Sequence, residues 1–98
     1  MVTKTAALEL GPKGIRVNSI NPGPVVTAIF RSMNFDQAAQ DSMFQQMTKQ
    51  SLMGYIGQPV DIANLASFLA SDEDARNITG SILVSDSGSL LSEQSSFD

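Results

Sequence analysis

Residues 15–27, Ile-Arg-Val-Asn-Ser-Ile-Asn-Pro-Gly-Pro-Val-Val-Thr, constrain the fold more than any other stretch of this 98-residue chain. Ile15, Val17 and Ile20 supply the β-branched run that a covered strand favours, and Gly14 marks its start. Two prolines, neither able to donate to a ladder, then flank Gly23, which tolerates positive φ, so Asn21-Pro22-Gly23-Pro24 is expected to leave the sheet abruptly. A buried parallel strand ending this way presents its carboxyl end to the crevice where open α/β sheets bind ligands. A second strand is predicted over 81–86 (Ser-Ile-Leu-Val-Ser-Asp), ended by Ser87-Gly88. With a helix between them, the two strands make a β-α-β unit whose pairing is parallel and whose crossover is right-handed.

Three helices are legible. Val2, Ala6 and Leu10, joined by Ala7, form a stripe over residues 1–10, with Lys4 and Glu9 off it; Gly11 is expected to end the helix in the left-handed region, with Pro12 just beyond. No capping residue precedes the stripe, the pattern expected of a helix that continues from upstream. Asp36 is expected to cap a second helix running to about Lys49, since Ala39, Met43, Phe44 and Met47 share a face. Pro59 suits the first turn of a third helix, over 59–71, with Asp61 near its amino end and Ile62, Leu65, Ala66 and Leu69 as its stripe. Asp72-Glu73-Asp74 reads as a solvated loop, and residues 89–98 as a flexible tail.

Composition removes several classes of function. Six basic residues against ten acidic ones give a net charge of −4 without a basic cluster, which disfavours nucleic acid as a partner. With neither cysteine nor histidine, a disulfide framework and the commonest metal ligands are missing, and no metal site is expected. No apolar run reaches the eighteen or so residues of a membrane span, and Met1 leads into an amphipathic pattern, not a signal core, so no membrane is expected and a cytoplasmic location is the default.

A series of motifs stands in order: Thr5-Ala-Ala-Leu-Glu-Leu-Gly-Pro-Lys-Gly-Ile-Arg-Val-Asn, Asn21-Pro-Gly-Pro-Val-Val-Thr, Gly57-Gln-Pro with Asp61-Ile-Ala, Phe68-Leu-Ala-Ser-Asp, Ile78-Thr-Gly and Asp86-Ser-Gly. Together they resemble the carboxyl-terminal half of a short-chain dehydrogenase/reductase over roughly residues 3–88, and an ordered set is far more specific than any one motif. The resemblance implies an α/β fold, the carboxyl-terminal part of a Rossmann-type doubly wound parallel sheet in the order helix, strand, lid helix, helix, strand. Residues 1–88 would form that half-domain and 89–98 the tail.

The resemblance also implies site residues. Pro22 and Gly23 would border the nicotinamide ribose and ring of NAD or NADP, Val25 would offer its backbone to the carboxamide, and Thr27 would hydrogen-bond it. Val26 is filler on this reading, while Arg16 and Asn18 tie the strand end to neighbouring loops. The segment 28–52 would be the substrate lid, with Ile29, Phe30 and Met33 nearest the cofactor; flexible thioethers and flat rings suit varied apolar substrates. Two positions depart from the family pattern: Tyr55 stands where a basic residue is common, and Asp86-Ser87-Gly88 replaces the usual Asp-Gly-Gly.

The family's chemistry needs a glycine-rich phosphate turn and a tyrosine with a lysine four residues later. The seven glycines form no such cluster, and the single tyrosine, Tyr55, is followed at position 59 by Pro59, so no catalytic residue is expected in this chain. The expected function is the nicotinamide-side turn, lid and oligomer face of an NAD(P)-dependent oxidoreductase acting on a small alcohol or carbonyl substrate. Its expected partners are a missing amino-terminal half or full-length family subunits, in an intact protein that is a homo-oligomer. The alternative is a non-catalytic truncated isoform acting as an interaction module on full-length subunits.

Overall fold

The structure, a computed structural model, describes residues 2–25 and 36–91. Helix α1 spans Val2–Leu10, strand β1 Ser19–Pro22, helix α2 Gln37–Gln50, helix α3 Pro59–Ala70 and strand β2 Ile82–Ser85. The strands pair as β1-β2. Their direction follows from the ladder: Ser19 N–H donates to the Ser81 carbonyl at 3.0 Å and Gly23 N–H to the Ser85 carbonyl at 2.9 Å, so both strands advance together and the pair is parallel. The described residues group into two compact units, one of Met1–Asn21 with Val60–Val84, the other of Pro22–Pro59 with Ser85–Asp98.

In the first unit, α1 ends at Leu10 as its sequence predicts, but the left-handed turn comes three residues later than expected. The chain tightens into a 3-10 turn over Gly11–Lys13, with Pro12 in its opening positions, and the left-handed residue is Gly14 at φ 78°, not Gly11. Pro12 lacks the N–H that an α-helix would need there, so the tighter turn takes over, and Gly14 N–H closes it on the Gly11 carbonyl at 2.9 Å.

The ladder is also shorter at its amino end than the predicted strand over 15–21. Val17 N–H donates to the Thr79 hydroxyl at 3.0 Å, and the Val17 carbonyl accepts from Gly80 N–H at 2.7 Å. Loop and side-chain bonds thus satisfy the backbone before regular pairing starts at Ser19. Asn18 completes the tie: its amide donates to the Ile78 carbonyl at 3.0 Å and its Oδ1 accepts from Ser81 N–H at 3.1 Å.

Arg16 has the tying role expected of it. Its Nη1 donates to the Leu69 carbonyl at 2.8 Å, in the last turn of α3, where helical carbonyls lack intrahelical donors. Its Nη2 pairs with Asp72 at 2.9 Å, but the Asp72 side chain is 98% exposed, so solvent screening leaves that ion pair with little energetic weight beside the carbonyl bond. Ile62, Leu65 and Leu69 turn inward from α3, whereas Ala66, part of the predicted stripe, is exposed. Leu69 and Ala75 are the buried apolar residues among those described, and Val60, Phe68, Ile82 and Val84 stay substantially exposed. A groove of about 470 Å³ runs along the same unit, lined by Arg16, Asn18, Ile20, Ala66, Leu69 and Ala70.

In the second unit, α2 begins as predicted. Asp36 is its N-cap, with the carboxylate accepting from Ala39 N–H at 2.8 Å, and Met43, Phe44 and Met47 are half-buried on one face. Residues 89–91 are helical.

Candidate functional site

The candidate site is built at the carboxyl end of β1, where the strand passes into Pro22-Gly23-Pro24-Val25. Pro22 fits inside the ladder because strand residues alternate in the edge they face: residues 19 and 23 donate toward β2, and the missing N–H of Pro22 points to the other edge. The turn therefore leaves the sheet one residue later than expected, since Gly23 still donates to Ser85. Positive φ is not what Gly23 contributes, as that conformation falls at Gly14, Gly54, Gly80 and Gly88. Its role is closeness: a Cβ at Gly23 would collide with the Asp86 Cβ and lie 2.8 Å from the Asp86 Cα.

Asp86 caps the turn that follows β2. Its Oδ1 accepts from Gly88 N–H at 2.9 Å and its Oδ2 from Leu90 N–H at 3.0 Å, while its carbonyl accepts from Ser89 N–H at 3.1 Å and from the Ser89 hydroxyl at 2.9 Å. Both carboxylate oxygens are thus engaged with backbone donors, which makes Asp86 a fixed structural acceptor beside Gly23.

Beyond Gly23, Val25 pairs with Gly57 in an isolated parallel bridge, so the chain leaving the turn is fixed as well. The loop carrying Gly57 is held in turn at Ser87. Ser87 has φ 49°, the left-handed region, and its hydroxyl accepts from Ser51 Oγ at 2.8 Å and donates to the Tyr55 carbonyl at 3.1 Å. The Ser87 carbonyl accepts from Met53 N–H at 3.1 Å. Next to it, Gly88 at φ 86° leaves room for Leu52, whose side chain a Cβ would approach to 2.7 Å.

Of the residues expected at the site, the structure places Pro22 exposed at the end of β1, Gly23 half-buried against Asp86, and Val25 on its bridge to Gly57. Thr27, Ile29, Phe30 and Met33 lie outside the described residues, as does Val26. Asp86, Ser87 and Ser51 were not among the expected site residues. The one sequence signal was the serine standing where the family pattern has glycine, because a side chain at a left-handed position needs partners that compensate it. Chemically, the arrangement presents a rigid, exposed backbone edge. Tyr55, 51% exposed with Pro59 four residues on, has no lysine at the spacing a proton-relay pair needs.

A parallel strand pair whose carboxyl end carries a pinned proline–glycine turn is the architecture of a Rossmann-type ligand edge. The profile of the family described as Enoyl-(Acyl carrier protein) reductase matches residues 1–89. Among curated proteins, 2,5-dichloro-2,5-cyclohexadiene-1,4-diol dehydrogenase LinX of Sphingobium indicum is 46% identical over 88 residues, 90% of this chain and 32% of that protein. The 3beta-hydroxysteroid dehydrogenase 1 of Eggerthella lenta is 42% identical over 91 residues, 93% of this chain and 33% of that protein. Among solved structures, a cofactor-bound short-chain dehydrogenase/reductase from Caenorhabditis elegans superposes with a TM-score of 0.81 at 33% identity, covering 92% of this chain and 34% of its own. A 4-hydroxyisoleucine dehydrogenase complexed with NADH and succinate gives a TM-score of 0.73 at 33% identity, covering 92% and 34%. The chain belongs to the short-chain dehydrogenase/reductase family, and it spans about a third of the length of the relatives it matches.

Proposed function

We propose that this chain forms the nicotinamide-side edge, substrate lid and oligomer face of an NAD(P)-dependent oxidoreductase that moves hydride between cofactor and an alcohol or carbonyl compound. The observation that carries this reading is the contact of Gly23 with Asp86, which holds Pro22, Gly23 and Val25 as a rigid edge at the carboxyl end of a parallel pair. Those residues fit the planar nicotinamide end of a dinucleotide: Pro22 and Pro24 are exposed, and the backbone between them is already fixed, so little ordering is needed on binding. The cofactor, when bound, supplies the hydride. The chain's own part is to orient the carboxamide through Val25 and Thr27 and to cover the substrate with Ile29, Phe30 and Met33.

The substrate class is supported by relatives named as dehydrogenases of a cyclic diol and of a hydroxysteroid, both secondary alcohols. Solved relatives carrying NADH or NADPH support the cofactor class, and either dinucleotide satisfies the reading. The exposed Val60, Phe68, Ile82 and Val84 of α3 and β2 support an oligomer face, since apolar side chains gathered on one helix and strand gain by being covered. Full-length family subunits or an amino-terminal half are the partners this face and the open sheet would meet, and the cytoplasm is the compartment. Among the described residues no helix is long and apolar enough to cross a membrane.

Thr27 is the test. In a protein that places a family nucleotide-binding half ahead of this chain, Thr27→Val keeps the shape and removes the hydroxyl. Cofactor affinity should fall by about 0.5–1.5 kcal/mol, the net worth of a neutral hydrogen bond. Val26→Ala should do much less. Equal cofactor affinities for wild type and Thr27→Val in calorimetric titration would remove the turn from the nicotinamide site.

A further inference from the structure

Two serines join the lid helix to the end of the sheet strand. Ser51 is the C-cap of α2, its N–H closing on the Thr48 carbonyl at 3.2 Å, and it is the buried polar residue among those described. Its hydroxyl donates to the Ser87 hydroxyl at 2.8 Å, which in turn donates a hydrogen bond to the Tyr55 carbonyl at 3.1 Å. The Ser51 hydroxyl also lies 3.3 Å from the Ser87 carbonyl as a second, longer acceptor, and the Ser87 hydroxyl ends on a backbone acceptor.

Ser87 holds the left-handed conformation, φ 49°, that a non-glycine residue adopts at a cost. A glycine would take it freely, so the serine needs a compensating gain, and the two hydroxyl bonds are where the structure provides it.

We propose that Ser51 and Ser87 form a latch that fixes the carboxyl end of the lid helix to the end of β2, within the unit that carries the Pro22–Val25 edge. The pair are positioning residues: neither stands on that edge. The inference rests on the lid assignment above, but its physical content, a coupled hydroxyl pair controlling the end of α2, is measurable without cofactor.

Three consequences distinguish a latch from two independent surface serines. Ser51→Ala removes the donor, so the Met53 amide, bonded to the Ser87 carbonyl, and the Gln50 and Ser51 amides at the end of α2 should all exchange faster. Ser87→Gly removes the hydroxyl and relieves the backbone at once, so the same amides should exchange faster while overall unfolding moves little or toward greater stability. In the Ser87→Gly background, Ser51→Ala should then add much less than it does in the wild type, because the short hydroxyl partner has gone and only the longer bond to the residue-87 carbonyl, 3.3 Å in the wild type, is left to lose.

The experiment is native-state amide exchange on the full 98-residue chain as wild type, both single variants and the double variant. A rise of about two- to tenfold at Met53, Gln50 and Ser51, little greater in the double variant than in either single one, is the expected result. Additive effects of the two substitutions, or acceleration at Met53 with the end of α2 unchanged, would overturn the latch. If Ser51→Ala lost protection throughout the chain, Ser87→Gly, which leaves no buried partner group stranded in a strained backbone, carries the same comparison alone: no change at Gln50 and Ser51 there overturns the proposal. A cofactor that failed to touch Pro22–Val25 would defeat the proposed function and leave these exchange rates as they are.

Discussion

Gly23→Ala should be one of the most damaging single-methyl substitutions among the described residues. The added Cβ meets the Asp86 Cβ and lies 2.8 Å from the Asp86 Cα, and the latter is backbone that cannot rotate away. Relief requires the carboxyl ends of β1 and β2 to separate, which stretches the Gly23 N–H bond to Ser85, now 2.9 Å, and shifts the Asp86 cap. Overpacking costs about 1–3 kcal/mol and the weakened hydrogen bond about 0.5–1.5 kcal/mol, so a loss of about 2–4 kcal/mol is expected. That is a large share of what any small domain has. Gly11→Ala is the control: nothing lies within 4 Å of a Cβ there and its φ is not positive, so it should be neutral or stabilising by about 0.4–1 kcal/mol. Denaturant melts of the two variants check the contrast; equal midpoints would mean that the strand ends are not in contact as described.

The second large effect is an absence of turnover. Hydride transfer to a carbonyl needs a proton delivered to the developing alkoxide, and in the family a phenol lowered by a nearby lysine does this. Here Tyr55 is half exposed, its carbonyl is occupied by the Ser87 hydroxyl, and Pro59 stands at the lysine's spacing. General acid catalysis contributes about 10²–10⁴-fold, and the cofactor site without a glycine-rich phosphate turn loses its main anion-binding element as well. The chain alone should therefore neither form NADH or NADPH from the oxidised cofactor with a cyclic diol or hydroxysteroid nor consume NADH or NADPH with the matching ketone above the enzyme-free rate. Turnover that is proportional to protein and weakened by Thr27→Val would contradict this.

Local features were the ones legible from residues alone. The Asp36 cap, the Pro59 start of α3 and the β2 run are each written within a few positions, where capping geometry, ring constraints and β-branching act directly. The strand over 15–21 was too long because bonds that replace its first ladder rungs come from Thr79 and Gly80, more than sixty residues away. The end of α1 at Leu10 is legible in its glycine–proline pair, but the left-handed residue falls at Gly14 instead of Gly11 because Pro12 supports one more, tighter turn. At the site, the proline–glycine turn was read correctly as a strand exit but for the wrong property of glycine: Gly23 is needed for a contact with Asp86 that sequence spacing does not show. The Ser51–Ser87 pair was invisible for the same reason, although Ser87 itself had stood out as a departure from glycine.

The central claim is that the Pro22–Val25 edge receives the nicotinamide, and amide chemical-shift mapping of the isotopically labelled chain, placed behind a family nucleotide-binding half, during titration with NADH tests it most directly. Saturable shifts are predicted at the Gly23 and Val25 amides, with Asp86 following through its contact with Gly23. Amides along the groove of Arg16, Asn18 and Ile20 should stay in place. Shifts concentrated in that groove, with Gly23 and Val25 unmoved, would contradict the account.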